Sequence, residues 1–257
     1  MTKTLTVTNL VKVYGGEGLR SKTQALNGVS FDIEQGEFTA IMGPSGSGKS
    51  TLLNCIATID KPTSGSIVID GVDAAHMRSK DLARFRRERL GFIFQDSNLL
   101  DTLTCRENIA LPLTIGHANV ARIEAAVEAI AYALKVEKVL DKYPYQISGG
   151  QRQRVAACRA LVANPALVLA DEPTGALDSK NSRTLLERFE ALNLQQDATI
   201  LMVTHDSFAA SFCRRVLFIR DGQLFTEIRR GDMSRRDFFD RIMEVVATIG
   251  GGEDHVA

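Results

Sequence analysis

Five residues suited to a fully buried strand, Phe38-Thr39-Ala40-Ile41-Met42, run directly into Gly43-Pro44-Ser45-Gly46-Ser47-Gly48-Lys49-Ser50-Thr51. No other stretch constrains the fold as tightly, because strand, glycine turn and helix must follow one another without a spacer. A strand that is apolar on both faces belongs to a sheet covered by helices on both sides, so the junction dictates an α/β core. The glycines let backbone N–H groups converge on phosphate oxygens, and the helix N-terminus adds a favourable field. Lys49 is placed to neutralise the β- and γ-phosphates of a nucleotide, and the Ser50 hydroxyl to ligate Mg²⁺.

A second phosphate-handling stretch lies farther on, at Ser148-Gly149-Gly150-Gln151, and opens an expected helix over Gln151–Ala163. Arg152 and Arg154 sit in its first turn, where cations oppose the helix dipole unless an anion binds there. An N-cap serine accounts for Ser148 but not for two glycines in succession. The aliphatic run Leu167–Ala170 then ends in Asp171-Glu172. Asp171 at a strand tip suits the Mg²⁺ shell, and Glu172 is placed to orient or deprotonate a water in line with the γ-phosphate. The second glycine element has no use inside a nucleotide site that the first already fills. The pair implies that each nucleotide is gripped from two sides by two copies of the chain.

Three further residues carry weight only as members of this set. Gln95 ends an apolar strand, His205 follows another, and Tyr14 follows the first and could stack on a base. Taken singly they read as a solvated glutamine, a structural histidine and the cover of a sheet edge.

Strands are expected at Leu5–Val13, Val29–Glu34, Phe38–Met42, Ser66–Ile69, Leu90–Phe94, Leu167–Ala170, Thr199–Val203, Val216–Arg220 and Gln223–Thr226. Helices are expected at Lys49–Ala57, Asp81–Arg87, Arg106–Leu113, Val120–Lys135, Gln151–Ala163, Ser179–Leu194 and Ser207–Cys213. The order implies a mostly parallel sheet flanked by helices, with antiparallel strands on the N-terminal side. Residues 1–230 form one domain, with an inserted helical subdomain at about 95–160, and 231–257 a C-terminal amphipathic helix and tail. Gly15–Thr23 reads as an exposed loop. In the tail, Ser234 and Asp237 fit a capping box, and Phe238, Phe239, Ile242, Met243 and Val246 share a face suited to packing on the protein's own core or, as the alternative, to docking a second protein.

The 257 residues carry 31 basic and 31 acidic side chains, which gives no support to nucleic acid as a partner. Cys55, Cys105, Cys158 and Cys213 are too scattered for a metal or redox pair and read as reduced, buried thiols. No signal-peptide core and no apolar run long enough for a bilayer is present, so any membrane role passes through a partner.

Tyr14, Gly43–Thr51, Gln95, Ser148–Gln151, Asp171-Glu172, Ala176-Leu177-Asp178 and His205 resemble, in order and spacing, the ABC-transporter ATPase family from about Leu5 to Thr226. The resemblance implies an A-loop, Walker A, Q-loop, signature, Walker B, D-loop and H-loop at those positions. Glu172, His205, Lys49 and Gln95 would then be catalytic, Ser50, Gln95 and Asp171 would face Mg²⁺, and Asp178 would belong to the ATP site. It also implies a head-to-tail homodimer, in which Ser148–Gln151 of one copy closes on the ATP held by Lys49 of the other. A narrower likeness runs through Arg86–Gln95, Asn98–Thr104, Glu107-Asn108-Ile109, Tyr143–Ile147 and Asp171–Ser179. It is similar to the branch of macrolide-export, lipoprotein-release and cell-division ATPases. Val203–Phe212 resembles the bacitracin-resistance type within it. That type implies a long multi-spanning permease at the cytoplasmic face of the membrane, a sensor histidine kinase beside it, and defence against peptide antibiotics.

Overall fold

The computed structural model describes residues 2–15 and 22–250. Two sheets share its strands. β1 (Lys3–Tyr14), β2 (Thr23–Glu34), β4 (Ser64–Ile69) and β5 (Val72–Asp73) form an antiparallel sheet in the order β2-β1-β4-β5. The second sheet contains β3 (Phe38–Met42), β6 (Leu90–Ile93), β7 (Leu167–Asp171), β8 (Ile200–Val203), β9 (Arg215–Arg220) and β10 (Gln223–Arg229). Its order is β10-β9-β3-β8-β7-β6, and only the edge pair β9-β10 is antiparallel.

Every residue of β3 is buried, and alternate side chains enter different cores. Phe38, Ala40 and Met42 pack with α3 (Cys105–Ile115), α4 (Val120–Ala133), α5 (Gly149–Leu161) and α6 (Ser179–Gln196). Ile41 packs the other way, with Leu52, Leu53 and Ile56 of α1 (Lys49–Ile56), Phe85 of α2 (Ser79–Arg89) and the inner face of the antiparallel sheet. Helix α1 is thus wedged between the sheets, and each fully buried Leu or Ile contributes about 1.5–3 kcal/mol there.

Two strand expectations need correction. β2 begins at Thr23, not Val29, because Thr23–Gly28 pairs with the end of β1 through its backbone, and ladder bonds do not require apolar side chains. The short β5 is too brief to show a periodicity in the sequence, although Asp70-Gly71, both at positive φ (48° and 76°), is the expected turn for a two-residue hairpin. Helix α7 (Ser207–Ala210) stops short of Cys213, and α4 stops before Lys135, which adopts φ 54°.

The C-terminal helix α8 (Arg235–Gly250) starts after Ser234, whose Oγ accepts the Asp237 N–H at 3.2 Å. Its buried face is Phe238, Ile242 and Ile249, with Val245 partly covered. Met243 and Val246 face outward, at 45% and 36% exposure, and Phe239 is half-buried, so the apolar stripe lies nearly one residue around from the expected face. Most of the expected loop Gly15–Thr23, and the last residues of the tail, lie outside the described residues.

Candidate functional site

The strand order β3-β8-β7-β6 sets four strand ends side by side. Ile41 lies opposite Val203, Val203 opposite Asp171, and Ala170 opposite Ile93. Gly43 after β3, Thr204-His205 after β8, Asp171-Glu172 at β7 and Gln95 beyond β6 therefore line one carboxyl edge, where α/β sheets bind ligands.

The glycine loop sits at the centre of that edge. A Cβ on Gly43 would fall 2.0 Å from the Ile219 carbonyl oxygen, so only glycine fits there. Gly48 adopts φ 100°, and a Cβ on it would fall 2.4 Å from the Ala25 carbonyl. The close approach turns the chain from Gly46 and Ser47 into α1. The loop's Pro44 and Ser45 are exposed, and Ser50 and Thr51 stand in the first turn of α1. Lys49 Nζ donates to the carbonyls of Gly43 and Pro44, both at 2.8 Å. Burial pushes its pKa down, and the neighbouring Glu172 and Asp171 carboxylates work against that shift. Burial, then Glu172, raises the pKa of Asp171, partly offset by Lys49. Asp171 Oδ1 and the Ser47 hydroxyl are buried without a hydrogen-bond partner.

Glu172 occupies the left-handed region at φ 45°, a strain of about 1–3 kcal/mol that persists only where the surroundings fix it. Its N–H donates to the Val203 carbonyl, and its own carbonyl accepts the Gly175 N–H, each at 2.9 Å. This bend turns the carboxylate toward β8. Oε1 accepts the His205 backbone N–H at 3.1 Å and lies 2.8 Å from His205 Nδ1, while Oε2 accepts the Thr204 hydroxyl at 3.3 Å. A carboxylate only accepts, so Nδ1 carries the ring proton and Nε2 points free. Gln95, Glu172, Gly175 and His205 line one groove of about 720 Å³.

Tyr14 closes β1 with its ring 40% exposed and its hydroxyl donating to Asp60. Ser148, Gly149, Gly150 and Gln151 form the start of α5. Ser148 Oγ accepts the Gln151 N–H at 3.3 Å, and Gln151 Oε1 accepts the Ser148 N–H at 2.9 Å. Gly150 abuts α6, where a Cβ would fall 2.2 Å from Asn181 Oδ1. Asp178 accepts from the Asn181 backbone N–H at 2.8 Å and from its side chain at 2.7 Å. Among the described residues no hydrogen bond joins 148–151 to 43–51, so one chain brings Lys49, Asp171, Glu172, His205 and Gln95 together and leaves Ser148–Gln151 with Asp178.

Three side chains that shape this edge were missed from sequence. Thr204 anchors Glu172, Asp60 anchors Tyr14, and Gln153 Nε2 donates to the Phe94 carbonyl at 2.7 Å, tying α5 to the strand end before Gln95. Only Thr204, adjacent to His205, carried a usable signal.

The family model described as ABC transporter matches residues 26–175. The ABC transporter ATP-binding protein YxdL of Bacillus subtilis (strain 168) is 49% identical over 257 residues, 100% of this chain and 98% of its own length. The bacitracin export ATP-binding protein BceA of Halalkalibacterium halodurans is 48% identical over 252 residues, 98% of this chain and 99% of its own. Among solved structures, the dimeric post-hydrolysis state of the ATP-binding cassette MJ0796 bound to ADP and Pi superposes with a TM-score of 0.79 at 38% identity. It covers 88% of this chain and 98% of that one.

Proposed function

Because the chain belongs to the ABC transporter family as an ATP-hydrolysing subunit, we propose that two copies drive a separate multi-spanning permease in defence against peptide antibiotics. The observation that carries the antibiotic reading is the end-to-end likeness to a protein named for bacitracin export, since an alignment over 98% of this chain extends into the region of α8. A sensor histidine kinase joins the complex through the permease. Among the described residues no helix is long and apolar enough to cross a membrane. In this proposal the permease holds the subunit at the cytoplasmic face. Residues 1–230 act as the ATPase domain with its helical subdomain at about 95–160, and 231–257 as an appended helix and tail.

In this reading Tyr14 stacks on the adenine and Gly43–Thr51 wraps the phosphates, with Lys49 leaving its two carbonyl partners for phosphate oxygens. Asp171 Oδ1, a buried oxygen with no partner, and the Ser50 hydroxyl fit Mg²⁺, which takes one or two carboxylates plus substrate phosphates. When bound, the cation neutralises charge across the phosphates. Gln95, which lines the groove with Glu172 and His205, would face the cation and pass its state on to the permease. Glu172 deprotonates or orients the attacking water, and His205, whose Nδ1–H donates to the Glu172 carboxylate, holds that carboxylate in place beside the γ-phosphate. Ser148–Gln151 and Asp178 of the second copy complete the site, a reading supported by the absence, among the described residues, of any hydrogen bond between 148–151 and 43–51 of one chain.

Purification of the tagged subunit from membranes tests the transport reading: a co-purifying multi-spanning protein supports it, and ribosomes or nucleic acid overturn it. Deleting the gene and measuring bacitracin susceptibility tests the antibiotic reading, which an unchanged strain would overturn.

A further inference from the structure

Lys12 and Tyr14, two residues apart on β1, project from the same face toward the end of the helix that Lys49 begins. Lys12 is only 9% exposed, deep for a lysine. Its ammonium donates to Asp60 Oδ1 at 2.5 Å and to the Lys61 carbonyl at 2.8 Å. The other oxygen of the same carboxylate, Oδ2, accepts the Tyr14 hydroxyl at 2.5 Å. The Lys12 ammonium also lies 4.7 Å from the centre of the Tyr14 ring, within cation–π reach.

Asp60 is itself fastened to α1. Thr58 turns the chain at φ 56°, and the N–H groups of Ile59 and Asp60 both donate to the Asn54 carbonyl, at 2.9 and 3.1 Å. Burial pushes the Asp60 carboxyl up, but the hydrogen bonds from Lys12 and Tyr14 and the Lys12 charge outweigh it and hold the group below the ordinary carboxylate range. An ionised bridge therefore links the exposed ring of Tyr14 to the helix whose first turn carries the phosphate loop.

Phosphate grip and base stacking occur at opposite ends of one ligand, so their energies add fully only when the span between loop and ring is preset. We propose that Asp60 is a positioning residue that fixes Tyr14 at that span, with Lys12 as the buried cation that holds Asp60 ionised. The inference rests on the reading of Tyr14 as the base platform. It explains why a tyrosine, rather than a ring without a hydroxyl, closes β1.

The test compares MgATP with inorganic tripolyphosphate, which engages the phosphate loop and has no base to stack, by calorimetry on the full chain. Tyr14→Ala, which removes the ring, calibrates the stacking contribution. Asp60→Ala and Tyr14→Phe, which remove the tether from either side, should each weaken MgATP roughly 2–10-fold, the worth of one ordering hydrogen bond, with tripolyphosphate affinity unmoved. Tyr14→Phe leaves the Lys12–Asp60 pair intact and so keeps the test informative if Asp60→Ala folds poorly. Added to Tyr14→Ala, Asp60→Ala should cost nothing more. Equal losses for both ligands would make Asp60 a support of the phosphate loop and overturn the proposal. So would wild-type MgATP affinity in Tyr14→Phe alongside a weakened Tyr14→Ala. Unchanged affinity in Tyr14→Ala itself would instead remove the stacking reading, and this inference with it.

Discussion

Glu172→Gln separates chemistry from binding, because the amide fills the space of the carboxylate and changes its charge alone. The substituted amide can still present an oxygen to the His205 N–H and ring, at the present 3.1 and 2.8 Å. Its nitrogen then meets the Thr204 hydroxyl, now 3.3 Å away, which can rotate to accept while it keeps the Asp206 N–H at 3.0 Å. The fold should lose about 1 kcal/mol, the net worth of one such bond. Lys49 loses one of the two carboxylates near it, and the triphosphate meets one anion fewer, so ATP affinity should hold or tighten. General-base assistance, in contrast, is worth about 10²–10⁴ in rate, or roughly 3–5 kcal/mol of barrier. The variant should therefore bind MgATP, accumulate as a dimer in sedimentation, and release phosphate slower by that factor with a near-native thermal transition. An unchanged rate would remove Glu172 from the role, and a loss of ATP affinity would mean that the carboxylate serves binding instead.

Ser148→Arg removes an N-cap worth about 0.5–2 kcal/mol, too little to unfold the chain, and should abolish hydrolysis while one chain still binds nucleotide. Loss of nucleotide binding by the monomer would place Ser148 inside its own site. Phe238→Ala, at a fully buried position of α8, should cost about 3–5 kcal/mol in urea unfolding, whereas Met243→Ala one turn on should stay within about 0.5 kcal/mol. Equal effects would refute the assigned face. All four cysteines are buried, with the Cys55 thiol pushed up to about 11 and Cys158 and Cys213 well above their ordinary value, chiefly by burial. Iodoacetamide at neutral pH should spare them in the folded protein and label all four in denaturant; rapid labelling of the native chain would contradict that burial.

The central strands were legible because a strand buried on both faces needs unbroken apolar character, which Phe38–Met42 and Leu167–Ala170 supply. The first half of β2 was not, since Gln24 and Asn27 face water and are held by backbone bonds to β1 and, for Asn27, to the Gly222 carbonyl. The face of α8 was misjudged for a different reason. Phe238 and Ile242 belong to both candidate stripes, and the choice between Met243-Val246 and Val245-Ile249 depends on which neighbour covers the helix. At the site, the glycine loop and Asp171-Glu172 announce themselves because backbone geometry and strand ends restrict the residue types allowed. Asp60 acts on Tyr14 across 46 positions and Gln153 on Phe94 across 59, and no local pattern marks a partner chosen by tertiary folding.

The division of labour along the carboxyl edge also bears on how hydrolysis is kept in check. Lys49, Asp171, Glu172 and His205 are assembled by adjacent parallel strands, so they exist in every copy whether or not nucleotide is present. The N-terminus of α5, in contrast, packs against α6 where Gly150 meets Asn181, and is tied to Phe94, just beyond β6, through Gln153. In the proposed dimer it approaches the triphosphate of the other copy as a rigid unit. Binding to one chain therefore gains phosphate-loop contacts equally in ground and transition state, which tightens binding without lowering the barrier. In the proposed dimer the donors of the second α5 arrive only on closure, and their contribution goes to the step that cleaves the γ-phosphate. Because Gln153 holds the strand end that leads to Gln95, a shift of α5 on closure of the proposed dimer would be felt in the groove between Gln95 and Glu172.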